Sequence, residues 1–549
     1  MRFRMLCVLV ATALAVSGCG GGGTSGTGGA PPPPATYSIG GVVSGLTGSE
    51  VVLQDNGGDN LPVSANGEFT FATTLANGAA YDVTVLTQPN GTGQMCSVAS
   101  GSGTVMNASV DTVVVSCTAP AAINWTNVHQ QIDGFGASDA QTGTGTSMST
   151  SNQQFFFGMG AGQLGLSLLR VGVSDDYGDP GDCTTVSVSC AGGYVSDMQA
   201  VIANGGRVYA SPWTPPAIYK TNGQADCTSG AGDGGLISSD YGAYATWLAN
   251  FVQSLQTEDG ITLYAISVQN EPNICQDYDS AVWTAADIDT FVSTNLGPTF
   301  TSDALTTLIF VPEGSGYNEM SLGSTCAGDA SCNKYVGGIN WHDYDATATG
   351  TNTIVADPYP AGWPAGKRYW ETEASCGPGF GPNFCQAGFN TDITDALDWA
   401  AVIDQRLAVD GANAWLYWWL IDADSTDDQG LMANNGTIPK RAYMLGQYSK
   451  FVRPGYFRID ATHLPESYVS VSAYQSLGTN TLVIVATNYS GSAISQTFNI
   501  TNAPAFSTLT PWLTSATSSL EQQPNVPVAA NSFTYTLPAQ SITTFVGTP

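Results

Sequence analysis

Glu271 and Glu373 are the residues whose setting most suggests chemistry. Each stands where a short apolar run gives way to a polar loop: Leu263 to Val268 leads into SVQNEPN, and Arg368 to Trp370 into KRYWETEAS. About a hundred residues separate them, so they belong to different elements. In a barrel of alternating strands and helices the carboxyl ends of the strands face the substrate, which would bring both side chains into one mouth. Paired carboxyls suit acetal cleavage, since one protonates the departing oxygen while the other attacks or shields the cationic sugar. Glu371, two residues before Glu373, would share its face of the strand. Lying one layer deeper, it is assigned to a buried hydrogen-bond network. Glu313, closing the run Leu308 to Val311, is a subsite or supporting candidate.

The elements that would position these groups run from residue 132 to 452, where strand and helix signals alternate. Ser239 and Asp240 are placed to cap a helix whose apolar residues Tyr244, Trp247, Leu248, Phe251, Val252 and Leu255 recur at spacings of three and four. Gly260 ends it, and Ile261 to Val268 follows as a strand. The alternation returns at Val195 to Ala203 with Arg207 to Ala210, and at Asp395 to Val409 with Asn413 to Leu420. Such repetition predicts a parallel sheet, and its length suits a (β/α)8 barrel. A doubly wound open sheet is the rival, but no glycine-rich phosphate loop follows the first strand.

Two all-β regions flank the barrel. Residues 36–118 alternate in the manner of a small immunoglobulin-like sandwich pinned by Cys96 and Cys117; it either binds glycan or acts as a spacer, and the lack of an aromatic row favours the spacer. Residues 453–549 predict a side β-sandwich, with residues 122–131 supplying its last edge.

Residues 1–18 read as an export signal, with an apolar stretch too short to span a bilayer. The sequence Val16-Ser17-Gly18-Cys19 resembles a bacterial lipoprotein box, which would lipidate Cys19; an ordinary secretory signal is the alternative. Residues 19–35, rich in glycine and proline, form a tether. This places the protein outside the cell, held at the outer membrane or surface by its lipid, or otherwise secreted. Ten cysteines remain beyond Cys19, and their order suggests the pairs Cys96–Cys117, Cys183–Cys190, Cys227–Cys275, Cys326–Cys332 and Cys376–Cys385, a connectivity that sequence does not prove. No close-spaced cysteine pair and only three histidines argue against zinc, and neither metal nor cofactor is called for. A net charge of −30, from 14 basic against 44 acidic residues, speaks against nucleic acid as partner. A neutral glycan substrate and a monomer are expected.

Seven stretches carry a family likeness: QIDGFGAS (131–138), GLSLLRVGV (165–173), SPWTPPAIYKTNG (211–223), SVQNEPN (267–273), NWHDYD (340–345), YWETEAS (369–375) and GTIPKRAYMLGQYSKFVRPGYFRID (436–460). In these the chain resembles glycoside hydrolase family 30, which joins a (β/α)8 barrel to a side β-sandwich and includes xylanases, β-1,6-glucanases, β-1,6-galactanases and glucosylceramidases. The resemblance covers residues from about 122 onward. It implies a retaining mechanism with Glu271 as acid/base and Glu373 as nucleophile, their carboxyls about 5 Å apart. It also implies that Arg170 holds the nucleophile ionised and that Asn270 bonds the sugar hydroxyl beside the reacting carbon. Trp213, Trp341, His342, Tyr344 and either Trp418 or Trp419 are expected around the cleft as sugar-stacking or polar groups, one of the adjacent tryptophans facing away.

The sequence departs from the uronate-dependent xylanases in the loop LIDADSTDDQG, where Asp422, Asp424, Asp427 and Asp428 stand in place of arginine and would repel a carboxylate. The resulting expectation is an endo-β-1,4-xylanase without strict glucuronic acid dependence. The alternatives are a β-1,6-glucanase or β-1,6-galactanase and, from another class, a non-catalytic glycan-binding lipoprotein. A serine esterase is disfavoured, since the chain has no G-x-S-x-G elbow.

Overall fold

The computed structural model describes residues 34–46, 50–89, 94–139, 148–173, 194–377, 381–386, 388–422, 426–466 and 468–549. Eight parallel strands close on themselves: β1 (Gly134–Ser138), β2 (Leu168–Gly172), β3 (Arg207–Ser211), β4 (Ala265–Ser267), β5 (Leu308–Gly314), β6 (Val336–His342), β7 (Arg368–Glu373) and β8 (Ala414–Trp419), with β8 pairing back onto β1. Closure decides for the (β/α)8 barrel over the doubly wound sheet.

The helix Tyr241–Asp259 shows how the sequence builds the outer ring. Its apolar positions fall on one face and are buried, and Gly260 stops it in the left-handed region at φ 68°, returning its N–H to Leu255 O. The cap differs from expectation: Ser238–Asp240 forms a 3-10 turn, and Asp240 makes no side-chain cap bond.

Leu168, Tyr209, Phe310, Trp370 and Leu416 fill the barrel interior and plug it. Beneath them Trp370 Nε1 donates to Asp133 Oδ2 at 2.9 Å, and Arg207 and Arg368, at the starts of β3 and β7, pair with the same carboxylate. A plugged floor leaves the carboxyl ends of the strands as the open face.

The side sandwich gathers residues 457–547 around one early strand. Ala121–Gln131 lies between Phe457–Ala461, antiparallel, and Ile494–Thr501, parallel, so it is an interior strand and not the predicted edge. The helix Lys440–Ser449 joins barrel to sandwich: Gln447 donates to Thr514 Oγ1 at 2.8 Å, and its carbonyl accepts from Thr544 Oγ1 at 2.8 Å.

The N-terminal module has two four-stranded sheets. Cys96 and Cys117 sit opposite one another on neighbouring strands of one sheet, so their disulfide staples that sheet and does not pin one sheet to the other. Cys227–Cys275, Cys326–Cys332 and Cys376–Cys385 form as their order suggested. Cys19, Cys183 and Cys190 lie outside the described residues, among which no helix is long and apolar enough to cross a membrane.

Candidate active site

Two glutamates at neighbouring strand ends set the frame. Glu271, four residues past β4, and Glu313, in β5, both occupy the left-handed region, at φ 44° and 60°. Such a conformation costs a non-glycine residue on the order of 1–3 kcal/mol, which the surroundings must offset. Here the Glu271 N–H donates to Glu313 O at 3.0 Å, and Asn270 N–H to Pro212 O at 2.8 Å.

Arg170, on β2, is fully buried and ties the centre together. Its Nη1 donates to Glu373 Oε2, and its Nη2 to Asn270 Oδ1 at 2.6 Å, with Glu313 Oε1 3.3 Å away. Arg170 thus takes the Asn270 carbonyl and leaves its amide N–H2 as the group to offer a sugar. The other oxygen of Glu373 accepts from Tyr344 Oη at 2.7 Å. Burial raises the proton affinity of Glu373, while His342 and Arg170 oppose this and Glu271 adds to it. The net effect is a raised proton affinity, against which the guanidinium on one oxygen and the phenol on the other make the carboxyl an acceptor at both and favour its ionised form.

His342, expected either on the sugar or supporting the groups that touch it, takes the supporting place as a buried hub: Nδ1 lies 2.8 Å from Glu271 Oε1, and Nε2 lies 3.6 Å from Glu373 Oε2 and 3.8 Å from Glu313 Oε1. Burial alone would strip its proton, but Glu373, Glu271 and Glu313 outweigh this and push it up to about 10. Glu313 itself accepts from Tyr209 Oη at 2.6 Å and Ser211 Oγ at 2.5 Å; burial works against its charge, yet Arg170, His342 and the Ser211 bond hold it below the usual carboxylate range. Three carboxyls therefore surround two cations. An oxygen of Glu271, an oxygen of Glu373 and a ring nitrogen of His342 fall within 4.8 Å of one another.

β7 differs from its sequence reading. Trp341 of β6 pairs with Glu371 and His342 with Glu373, so Thr372 is an extra residue and β7 bulges there. Glu371 lies on the face of Tyr369, which packs on Trp341 in the layer between barrel and helices; Glu373 points into the mouth. The two glutamates do not share a face. Glu371 does belong to a buried hydrogen-bond network, as expected, accepting from Glu373 N–H at 2.8 Å and Leu416 N–H at 3.0 Å.

The aromatic wall is made by Trp213, Trp418 and Trp419. The Arg170 guanidinium lies 4.6 Å from the Trp213 ring centre and 5.5 Å from that of Trp418. Trp418 and Trp419 stack on each other at 5.0 Å and join one cluster, because a second irregularity, between β1 and β8, breaks the alternation that was to turn one of them away. Trp341 is core: it is fully buried and stacks on Tyr369 at 4.2 Å. One residue was missed. Tyr278, in the loop after β4, is 45% exposed, and burial followed by the charges of Glu271 and Glu373 pushes its phenol above its ordinary range, which sets it beside the two carboxyls. Its signal was an aromatic in the polar stretch NICQDYD. The Cys227–Cys275 bridge and Lys220, which donates to Ala225 O, Asp226 O and Ser280 O, tie this loop to the one after β3.

The acidic loop after β8 is not the exposed repulsive surface that was expected. Asp422, Asp427 and Asp428 are buried, and Asp428 shares Arg441 with Asp395 at 2.9 Å each; Asp424 lies outside the described residues. The basic residues carry a clearer message. Of the 14 lysines and arginines, Arg2 and Arg4 precede the described residues, and none of the other undescribed positions is basic. Arg170, Lys220, Arg406 and Arg441 are buried and engaged as described or with Asp343, Asp357 and Asp410. Arg207, Lys334, Lys367 and Arg368 stand at the starts of strands, on the opposite end of the barrel; Lys440 opens the last helix and donates to Ser518 O and Ser519 Oγ, Lys450 and Arg453 follow that helix, and Arg458 lies in the sandwich.

Residues 193–389 match the glycosyl hydrolase family 30 TIM-barrel domain. Glucuronoxylanase XynC of Bacillus subtilis strain 168 is 32% identical over 439 residues, covering 77% of this chain and 90% of that protein. The chain belongs to glycosyl hydrolase family 30. Among solved structures, the family 30 subfamily 8 xylanase Xyn30A of Clostridium acetobutylicum is similar at a TM-score of 0.66 and 32% identity, covering 78% of this chain and 100% of that one. A family 30 endoxylanase of Clostridium papyrosolvens C71 is similar at 0.64 and 32%, with the same coverage. The protein is thus an O-glycosyl hydrolase, and the seven sequence stretches pointed to the right family.

Proposed function

We propose that the protein is a retaining endo-β-1,4-xylanase that needs no glucuronic acid branch. The observation that carries the mechanism is the meeting of Glu271, His342 and Glu373 within 4.8 Å, a separation suited to direct attack and too short to seat a water between the carboxyls. Glu271 passes its proton to the glycosidic oxygen while Glu373 attacks the anomeric carbon from the other face; the C–O bond breaks and a glycosyl ester forms. Glu271 then draws a proton from water, the water oxygen takes the anomeric carbon, and Glu373 leaves as carboxylate. Arg170 and Tyr344 favour the ionised form of Glu373 and aim it, and Asn270 offers its amide to the neighbouring hydroxyl. Trp213, Trp418 and Tyr278 supply ring faces for the sugars.

The xylan backbone is the choice favoured by 32% identity to xylanases over most of the chain. Independence from glucuronic acid rests on the loop after β8, LIDADSTDDQG (420–430), which carries no lysine or arginine to clamp a carboxylate. Product analysis on glucuronoxylan, neutral arabinoxylan, linear β-1,6-glucan and β-1,6-galactan tests both points. Internal cleavage of both xylans, with kcat/KM values within about tenfold of each other, is expected, since a lost ionic clamp would be worth more than that. Products from a β-1,6 polymer without xylan products would overturn the substrate, and activity confined to glucuronoxylan would overturn the independence. We place the enzyme outside the cell, where four disulfides are stable, anchored through lipidated Cys19.

A further inference from the structure

The end of β7 poses a geometric problem. Trp370 points into the barrel plug, so plain alternation would put Glu371 and Glu373 together on the outer face, away from substrate. The extra residue Thr372 reverses this and turns Glu373 inward opposite His342. A bulge has a cost: it takes backbone groups out of the ladder, and a buried N–H without an acceptor is strongly unfavourable. The N–H left over is that of Glu373 itself.

Glu371 meets that need. Its Oε1 accepts the Glu373 N–H at 2.8 Å, and its Oε2 accepts the Leu416 N–H of β8 at 3.0 Å. The direct β7–β8 ladder is recorded at Trp370 opposite Ala414 and resumes where Trp418 N–H donates to Ala374 O at 2.9 Å. Between those points the carboxyl bridges the two strands. One buried group thus fixes the bulge that orients Glu373 and ties it to β8, while Trp418 of the wall keeps its own backbone bond to Ala374.

We infer that Glu371 is a positioning residue for catalysis: its carboxyl, spliced between β7 and β8, locks the Thr372 bulge and so holds Glu373 at the reacting carbon. This rests on Glu373 being the nucleophile. Burial, and then Asp343, raise the proton affinity of Glu371, while the two N–H donors oppose the shift; each oxygen remains an acceptor in either protonation state. Glutamine keeps one such oxygen and turns an NH2 against the other N–H, and leucine keeps none.

The test compares wild type, Glu371→Gln, Glu371→Leu and Glu373→Ala on neutral arabinoxylan, or on whichever of the four polysaccharides above wild type cleaves. Folded fraction is taken from the thermal transition of each. The expected result is a kcat per folded molecule reduced on the order of 10²-fold in Glu371→Leu, the scale of a misplaced reacting group, with a smaller loss in Glu371→Gln. KM should stay within about threefold in both, because the sugar-binding wall still forms. A purely structural role would lower the folded fraction and leave kcat per folded molecule unchanged, and that result overturns the inference. Should both variants fail to fold, Glu371→Asp keeps a carboxyl, withdraws its oxygens by one methylene and carries the same test. If Glu373→Ala retains turnover, the nucleophile reading falls; if Glu373→Ala is dead while the Glu371 variants match wild type, only the positioning role falls.

Discussion

Arg170 and Arg406 are both fully buried and ringed by carboxylates, yet the two clusters differ in what they leave unsatisfied. Arg406 spends its donors inside the protein: Asp343 takes Nε and Nη2 at 2.8 Å each, Asp410 and Val355 O take Nη1 at 2.8 and 2.9 Å, and Asp357 lies at 2.6 Å. Among the described residues Arg170 finds no hydrogen-bond partner for its Nε; it lies against two tryptophan rings and holds groups that pass its influence on to His342 and Glu271. Two glutamates beside it sit in left-handed backbone. A buried ion pair therefore does not mark a site by itself. Strained backbone, surplus carboxyl charge and an aromatic wall in one place do so.

Substitution can break this comparison, and the largest effect falls at the reacting groups. Glu373→Ala should lower turnover by roughly 10⁴-fold or more, the scale of losing a nucleophile, and Glu271→Ala by roughly 10²–10⁴-fold. Neither should shift Tm as far as a change at Arg406, because Arg170 keeps Glu313.

The two arginines come next. Arg170→Ala should cost about 10²–10³-fold in kcat through lost electrostatic support, beyond any fall in stability. Arg406→Ala should cost about 3–5 kcal/mol of stability by stranding buried carboxylates, with turnover per folded molecule near wild type. Denaturation curves and kinetics on folded protein separate the two. A dead but stable Arg406→Ala protein would erase the contrast.

Smallest are the pH effects. His342 is held at about 10 against an ordinary 6.5, so its contribution to stability is complete below about 6.5 and is lost as pH rises through about 10. Tm measured from pH 7 to 10 should decline more steeply in wild type than in His342→Gln. In the Arg406 cluster burial pushes Asp357 up to about 7, against the pull of Arg406. A carboxyl with a raised pKa stabilises the fold below its unfolded value near 4, and that contribution fades as pH climbs through 7. Asp357→Asn should flatten Tm between pH 4 and 7 without changing the activity profile.

Much of the barrel was legible because its signals are local. The helix Tyr241–Asp259 shows its apolar stripe and its terminal glycine, and Glu271 and Glu373 show themselves by closing apolar runs. What escaped was decided by single-residue insertions. The bulge at Thr372 separates Glu371 from Glu373, and the irregularity near Trp418 puts two adjacent tryptophans in one cluster; neither changes composition or period enough to be read. His342 and Trp341 sit in a motif that suggests a cleft, but whether a ring faces sugar or core depends on which strand lies opposite. The acidic loop misled for a related reason: its described aspartates are buried, and Asp428 pairs with Arg441 across a contact that no spacing reveals.

The central claim is that Glu373 attacks sugar directly and Glu271 works from the other face. Proton NMR of the anomeric signal during the first minutes of xylan cleavage tests it most directly. The account predicts that the newly formed reducing end appears first as the β anomer, with α growing in only by mutarotation. An α anomer at the earliest times would contradict it, since that requires a water between the two carboxyls and a single displacement.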